Sequence, residues 1–402
     1  MTKVQSRADV IVVGGGVVGC SIAYRLAVAG QRVLLLERRG LAAGASGRNG
    51  GMTGAGSMMH AGAGAAVAAL TNANLAMMRA LPAELECDFA LRLPGTLDVA
   101  TTPEQYEQIA HGVMLQRAAG QDVYLLDREE ARSLMPALSE AILGAKFAAG
   151  NGHLWPFALV NGFAGAARRF GAEIRIGAEV ERLVYAGDRV VGVVVNGDRI
   201  EAAEVVLATN AYTPRLIDLP PGAIVPARGQ ILVTQPLPPV LAHPFGTNFD
   251  KEYGRQTAHG PIICGGYRRL DVDEGLGHYE ERVTPPVLAG IARCLTSLFP
   301  ALRGVRCVRA WAGIMGFTAD GLPLIGRDPT RPGLTIAAGF NGGGFSWAAI
   351  TGTVVADLLT GHEVGFDLSP FDPSRFAAGD AAWTNPFTAG ERSAVAAPMG
   401  GV

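Results

Sequence analysis

The first forty residues hold two short runs that are apolar at nearly every position, separated by a stretch of helical spacing. Asp9 to Val13 reads as a strand, Val17 to Ala29 as a helix and Arg32 to Glu37 as a second strand, with a glycine turn after the first. Such a βαβ opening joins parallel strands, and strands this apolar suit a parallel sheet covered on both faces by helices. From Gly95 the pattern is mixed. It predicts a strand at Thr96 to Ala100, a helix from Pro103 to about Ala118, a strand at Val123 to Leu126 and a short helix at Arg128 to Met135. Helical spacing returns at Pro156 to Phe170. Three strands follow, Glu179 to Val184, Arg189 to Val195 and Arg199 to Ala208, and the Asn196-Gly197 turn folds them into an antiparallel meander.

Pro214, Pro220, Pro221 and Pro226 then crowd together, which marks a crossing between domains. A strand-rich stretch from Gln230 to Tyr267 and a helix from Pro285 to Leu298 complete a second domain. Residues 311–361 carry another glycine turn that leads into a long helical pattern and returns to the first domain. The expected fold is therefore α/β with an α+β second domain: a Rossmann-like nucleotide domain (1–90, 151–225, 310–375) interleaved with a substrate domain on a mixed, largely antiparallel sheet (91–150, 226–309). The tail from 376 to 402 is small, polar and aperiodic, and is expected to be disordered.

Composition narrows the partners. The chain has 402 residues, 49% hydrophobic and 17% charged, enough apolar surface for a large core. A net charge of −2 provides no footprint for nucleic acid or an anionic membrane, so a small molecule is the better partner. Cys20, Cys87, Cys264, Cys294 and Cys307 are scattered with no Cys-x-x-Cys pair, which argues for reduced thiols and against a metal site. The apolar run Val10 to Val18 fits neither a spanning helix nor a signal peptide, which makes the cytoplasm the default location and leaves peripheral membrane attachment open. Nothing in the pattern sets an oligomeric state.

Chemistry enters at the first turn. Gly14-Gly15-Gly16-Val17-Val18-Gly19 follows an apolar strand and opens a helix, the context a dinucleotide fingerprint requires. Gly14, Gly16 and Gly19 serve the tight turn, the approach of a pyrophosphate and helix packing, while amides at Val17 and Val18 belong to the positive helix end. Glu37 ends the second strand eighteen residues beyond Gly19, where a carboxylate can accept from an adenosine ribose; Arg38 beside it leaves open a 2′-phosphate. Three later segments favour FAD over NAD. Gly44 to Gly51, continuing to Met52, offers small residues plus the hydroxyl of Ser46, the guanidinium of Arg48 and the amide of Asn49, with Ala45, Gly50 and Gly51 between them. Thr209 closes the strand after the meander. Asn341, Gly342, Gly343, Gly344 and Phe345 precede the last helix, whose N-terminus would favour the negative charge a flavin gains on reduction.

These segments, with Trp311 to Gly326, resemble the D-amino-acid oxidase superfamily of FAD-dependent oxidoreductases, which includes glycine oxidase, sarcosine oxidase and γ-glutamylputrescine oxidase. The similarity runs through most of residues 8–361 and in motif lies nearest the γ-glutamylputrescine oxidase branch. It implies hydride transfer from the carbon of a C–N bond to flavin N5, with an imine product that hydrolyses to a carbonyl compound and ammonia or an amine. The substrate is then an amine or amino acid, and oxygen or another acceptor takes the electrons. It also places Val180 where backbone groups hold adenine. Met315 stands where amino-acid oxidising relatives carry a carboxylate-clamping arginine, and Gly313 where sarcosine oxidase bonds its flavin through cysteine, so a dissociable FAD is expected.

Because the flavin carries the chemistry, no catalytic side chain is assigned. Candidates for the substrate side are His60, Tyr253, His259, Met315 and Trp347, each of which has a purely structural alternative, and Arg228 could replace the lost clamp or serve the domain crossing. Two other readings stay open: oxidation of a C–O bond, as in a 2-hydroxy acid, and a subunit of a multi-chain dehydrogenase. A disulfide reductase is excluded by the missing redox cysteine pair.

Overall fold

The computed structural model describes residues 8–54, 64–247 and 252–376. Two eight-stranded sheets organise them. In the first, the strands Leu334–Ala338, Asp198–Leu207, Ala8–Val13, Val33–Glu37 and Glu173–Ile176 lie side by side and parallel, and Leu324–Arg327 adds an antiparallel edge. Alternation along the strands sorts the core. Val10, Val12, Val33 and Leu35 face a layer of helices Val17–Val28, Pro156–Arg169 and Ala348–Thr360. Ile11, Val13, Leu34 and Leu36 face the other way, against Leu183, Val190 and Val193.

That second face corrects the expectation of helices on both sides. Its cover is the meander, in which Val180–Ala186, Arg189–Val195 and Asp198–Leu207 pair antiparallel. Asn196 and Gly197 both adopt positive φ, +51° and +77°, as a two-residue hairpin turn of this type demands. Beyond the turn the third strand runs on into the parallel sheet beside Ala8–Val13, so a single ten-residue strand serves both layers.

The second sheet runs in the order Cys307–Phe317, Val225–Thr234, Ile262–Gly265, Tyr253–Gln256, Phe245–Gly246, Thr96–Ala100, Gly144–Ala148, Val123–Asp127. All its pairs are antiparallel except Phe245–Gly246 with Thr96–Ala100. The strand Cys307–Phe317 belongs here, paired along its length with Val225–Thr234. One face packs on helix Pro285–Leu298 through Val287, Ile291 and Leu298. A 21-residue helix, Gly64–Glu84, joins the helical layer of the first sheet and was not expected from the pattern. The stretch 377–402 assigned to a tail, and the position of His60, lie outside the described residues. No helix among those described is long and apolar enough to cross a membrane.

Candidate active site

The first turn is tightened by three close approaches. Gly14 has φ +112°, and a Cβ there would lie 2.6 Å from the carbonyl oxygen of Ala208. A Cβ on Gly19 would lie 2.0 Å from the Gly14 oxygen, so Gly19 is a packing glycine: it seats the helix on the turn and does not line the cavity. Gly15 donates to Glu37 Oε2 at 2.8 Å, and Arg39 donates its backbone N–H to Glu37 Oε1 at 2.7 Å. Glu37 thus fixes the turn to the end of the second strand while it borders the cavity with remaining acceptor capacity.

The Gly44 to Met52 segment wraps over this turn. Ser46 Oγ accepts from Val17 N at 2.9 Å, capping a helix whose own N-cap, Gly16, has no side chain. Its hydroxyl hydrogen remains to donate elsewhere. The other donors expected to face a ligand are committed to the loop. Asn49 Nδ2 donates to the Ala45 and Ser46 oxygens, and its Oδ1 accepts from Gly51. Arg48 donates to the Ala43 and Ala312 oxygens and pairs with Glu281, which also pairs with Arg39, both at 3.0 Å. Burial opposes ionisation of Glu281, but the hydrogen bond from Arg39 and the charges of Arg39, Arg48 and Arg38 prevail and hold its pKa low. Gly51 does not line the cavity; it has φ +72° and backs onto Leu154 and Arg255.

At the far end the turn Phe340 to Gly343 is carried by asparagines. Asn210 Oδ1 accepts from Gly339 and Phe340, at 2.9 and 3.2 Å. Asn341, φ +51°, uses its side chain on Thr318 N and the Gly339 oxygen. The expectation that this turn opens the last helix directly needs correction. A 3₁₀ turn, Gly344–Ser346, intervenes, and the first helical amides, Ala349 and Ile350, are already met by Asn74 Oδ1. The helix dipole therefore reaches the cavity only through the Gly342 to Ser346 backbone.

These segments border one continuous cavity of about 620 Å³, within the usual range of roughly 300–1,000 Å³ for small-molecule sites. Gly14, Gly16, Val17, Val18, Glu37, Arg38, Ala45, Ser46, Val180 and Thr209 line one part. Gly50, Met52, Gly313, Met315, Asn341, Gly342, Gly343, Gly344 and Phe345 line the other. Glycine backbone at Gly14, Gly16, Gly50 and Gly313 keeps the cavity wall thin where a Cβ would crowd its neighbours: at Gly313 it would lie 2.7 Å from Arg48 Cβ, and at Gly50, 2.7 Å from the Tyr253 ring. A long, flat dinucleotide fits that outline, with the fingerprint and Ser46 for a diphosphate and the second sheet beside a ring system.

The second sheet supplies Gln230, Tyr253, Met315 and Phe317 to the remaining wall, and the 3₁₀ turn Arg268–Leu270 that follows one of its strands supplies Arg268. Burial pushes the Tyr253 phenol up, so it stays protonated and is a donor rather than a base. Arg268 was not anticipated. It is buried, lies 4.5 Å from the centroid of Phe317, and keeps its charge at neutral pH even though burial lowers it to about 10. Arg228 is no clamp: it is bonded to Asp271 at 2.6 and 2.7 Å and does not line the cavity. His259 sits in an exposed turn, away from the cavity. Trp347 is fully buried against Phe371, behind Gly343, and reaches no open space.

A family model described as FAD dependent oxidoreductase (DAO) matches residues 9–358. Glycine oxidase from Geobacillus kaustophilus is 30% identical over 92% of this chain and 97% of its own, and its crystal structure superposes with a TM-score of 0.82. The crystal structure of L-proline dehydrogenase from P. horikoshii superposes with a TM-score of 0.85, at 27% identity, over 94% of this chain and 99% of that one. Rat mitochondrial dimethylglycine dehydrogenase is 26% identical over 92% of this chain, which spans 45% of that longer protein.

Proposed function

Because the chain belongs to the DAO family of FAD-dependent oxidoreductases and so acts on amino acids or amines, we propose that its substrate is a small α-amino acid with a primary or N-substituted nitrogen. Its C–N bond is oxidised to an imine, which water hydrolyses to a carbonyl compound and ammonia or an amine. The carrying observation is a buried cation, Arg268, on the cavity wall where Met315 offers no charge. The names of the relatives support this class, since glycine, L-proline and dimethylglycine each carry nitrogen beside a carboxylate-bearing carbon.

When bound, FAD supplies the hydride acceptor. The chain's own residues do the rest. Gly14, Gly16, Val18 and Ser46 would hold the diphosphate, Glu37 the ribose, and Val180 the adenine edge, all without a covalent bond because position 313 is glycine. Arg268 would take the substrate carboxylate, for which a guanidinium makes two parallel hydrogen bonds. Tyr253 is placed to donate beside it, and Met315 and Phe317 keep water from the reacting carbon. The nitrogen must arrive as the free amine, since its lone pair stabilises the charge that develops as hydride leaves.

Anaerobic mixing of holoprotein with glycine, N-methylglycine, dimethylglycine, L- and D-proline, the matching decarboxylated amines and 2-hydroxy acids tests the reading. Bleaching of the flavin by the amino acids is expected. Arg268→Met should raise KM for them at least tenfold and leave simple amines nearly unchanged, about 1.4 kcal/mol of carboxylate binding. Bleaching by hydroxy acids or simple amines alone overturns it.

A further inference from the structure

Most arginines near the cavity have an acid beside them. Arg228 is paired with Asp271 and Glu280, and Arg39 and Arg48 with Glu281. Arg255 differs. It lies on the strand Tyr253–Gln256, 8% exposed, and its guanidinium donates only to backbone: Nε to the Gly50 oxygen and Nη2 to the Leu154 oxygen at 3.4 Å. No carboxylate among the described residues pairs with it.

The guanidinium is packed tightly behind the loop. A Cβ at Gly51 would lie 3.1 Å from Arg255 Nη2, and only the positive φ of that glycine lets the chain pass so close. Gly50 lines the cavity and Tyr253, two residues before Arg255, stacks on it. One peptide therefore separates a buried positive charge from the cavity wall. Its field is felt nearby: burial, Arg255 and Arg92 together hold His153 down to about 4. Burial draws Arg255 itself down only to about 10, so it is charged at neutral pH. In a poorly screened interior such a charge acts on whatever sits across the loop.

We propose that Arg255 is a positioning residue that fixes the Gly50–Gly51 loop and, through its uncompensated charge, biases the bound flavin toward its reduced, more negative form. This rests on FAD lying with its ring beside Gly50, as the placement of the fingerprint at the opposite part of the cavity supports. Two-electron reduction adds negative charge to the ring, and a preorganised cation stabilises it at no reorganisation cost.

The test is the midpoint potential of wild type, Arg255→Gln and Arg255→Lys holoproteins, measured anaerobically against a reference dye, with no substrate present. Gln keeps a donor for the Gly50 oxygen and removes the charge; Lys keeps the charge. At fixed potential, the reduced-to-oxidised ratio of R255Q is expected to fall about tenfold, equivalent to roughly 30 mV for two electrons, and that of R255K to stay within about twofold of wild type. R255Q within twofold of wild type, or R255K falling as far as R255Q, overturns the proposal. Should R255Q not retain FAD, the wild-type holoprotein decides: the N3–H of its oxidised flavin should titrate at lower pH than that of free FAD, and an equal or higher pH overturns the proposal. A wild-type chain that retains no FAD would instead refute the cofactor placement, and an unexpected substrate would leave the potential untouched.

Discussion

Replacing Arg228 by Met separates a structural cation from a substrate clamp. Arg228 and Asp271 have side chains 2% and 1% exposed and meet through two hydrogen bonds, with Glu280 at 3.1 Å on the third nitrogen. The Asp271 carboxylate also accepts from Gln230 at 2.9 Å and Val272 at 3.0 Å. Arg228→Met leaves it two donors and no countercharge in the interior. Breaking a buried pair from one side costs about 3–5 kcal/mol, whereas replacing both partners by apolar groups is often neutral. For a chain of this size that is a fall of roughly 4–6 °C in Tm, and R228M/D271L should recover most of it. Burial opposes ionisation of Asp271, but Arg228, Gln230 and Val272 outweigh it and hold its pKa below 3.8. The stability it contributes is therefore present above the ordinary carboxylate range and lost as pH falls through the lowered folded value. The deficit of R228M measured by urea unfolding should accordingly be full at pH 7 and shrink in acid. KM for amino acids should stay within about twofold of wild type. A loss under 1 kcal/mol, a double variant as unstable as the single one, or a selective tenfold rise in KM would each refute the assignment.

Three further changes probe the cofactor half. Gly19→Ala puts a methyl 2.0 Å from the Gly14 oxygen, so FAD affinity followed by fluorescence quenching should drop at least a hundredfold, about 2.8 kcal/mol; retained yellow colour on purification would contradict the packing role. Glu281→Gln removes two partly exposed ion pairs of about 0.5 kcal/mol each from the Arg39 and Arg48 loop, predicting a roughly fivefold weaker FAD dissociation constant that wild type approaches at high salt. His153 is held down to about 4 against an ordinary 6.5, so the neutral ring is the one the fold favours. Its contribution is complete above pH 6.5 and is lost as pH falls toward 4, and the stability of His153→Gln should decline less across that window; identical slopes would rule His153 out.

The cofactor half was legible because nucleotides are held largely by backbone, and backbone needs are written locally. Gly14, Gly16 and Gly19 sit within six residues between an apolar strand and a helix, although the atoms nearest Gly14 and Gly16 belong to the distant Ala208 and Ser46, and Asn196-Gly197 declares its hairpin without outside help. What escaped was whatever depends on partners distant in the chain. Asn49 and Asn341 have side chains suited to a ligand, yet both are spent on their own loops, which no spacing reveals. Asn74 caps the last helix from 275 residues away, on a helix whose Asn, Thr and Pro residues blur its periodicity. The substrate wall is the extreme case. Its strands Val225–Thr234 and Cys307–Phe317 pair across a long separation, and Arg255 and Arg268 lie in stretches that look like ordinary strand and turn. Arg228 stands in the same sheet and, as a letter in the chain, is indistinguishable from either. Only their partners tell them apart: Arg228 pairs with Asp271, whereas Arg255 pairs with no acid among the described residues and donates to the Gly50 oxygen. On the proposed reading, substitutions at Arg268, Met315 and Arg255 should shift substrate and potential while the glycine turns stay as they are.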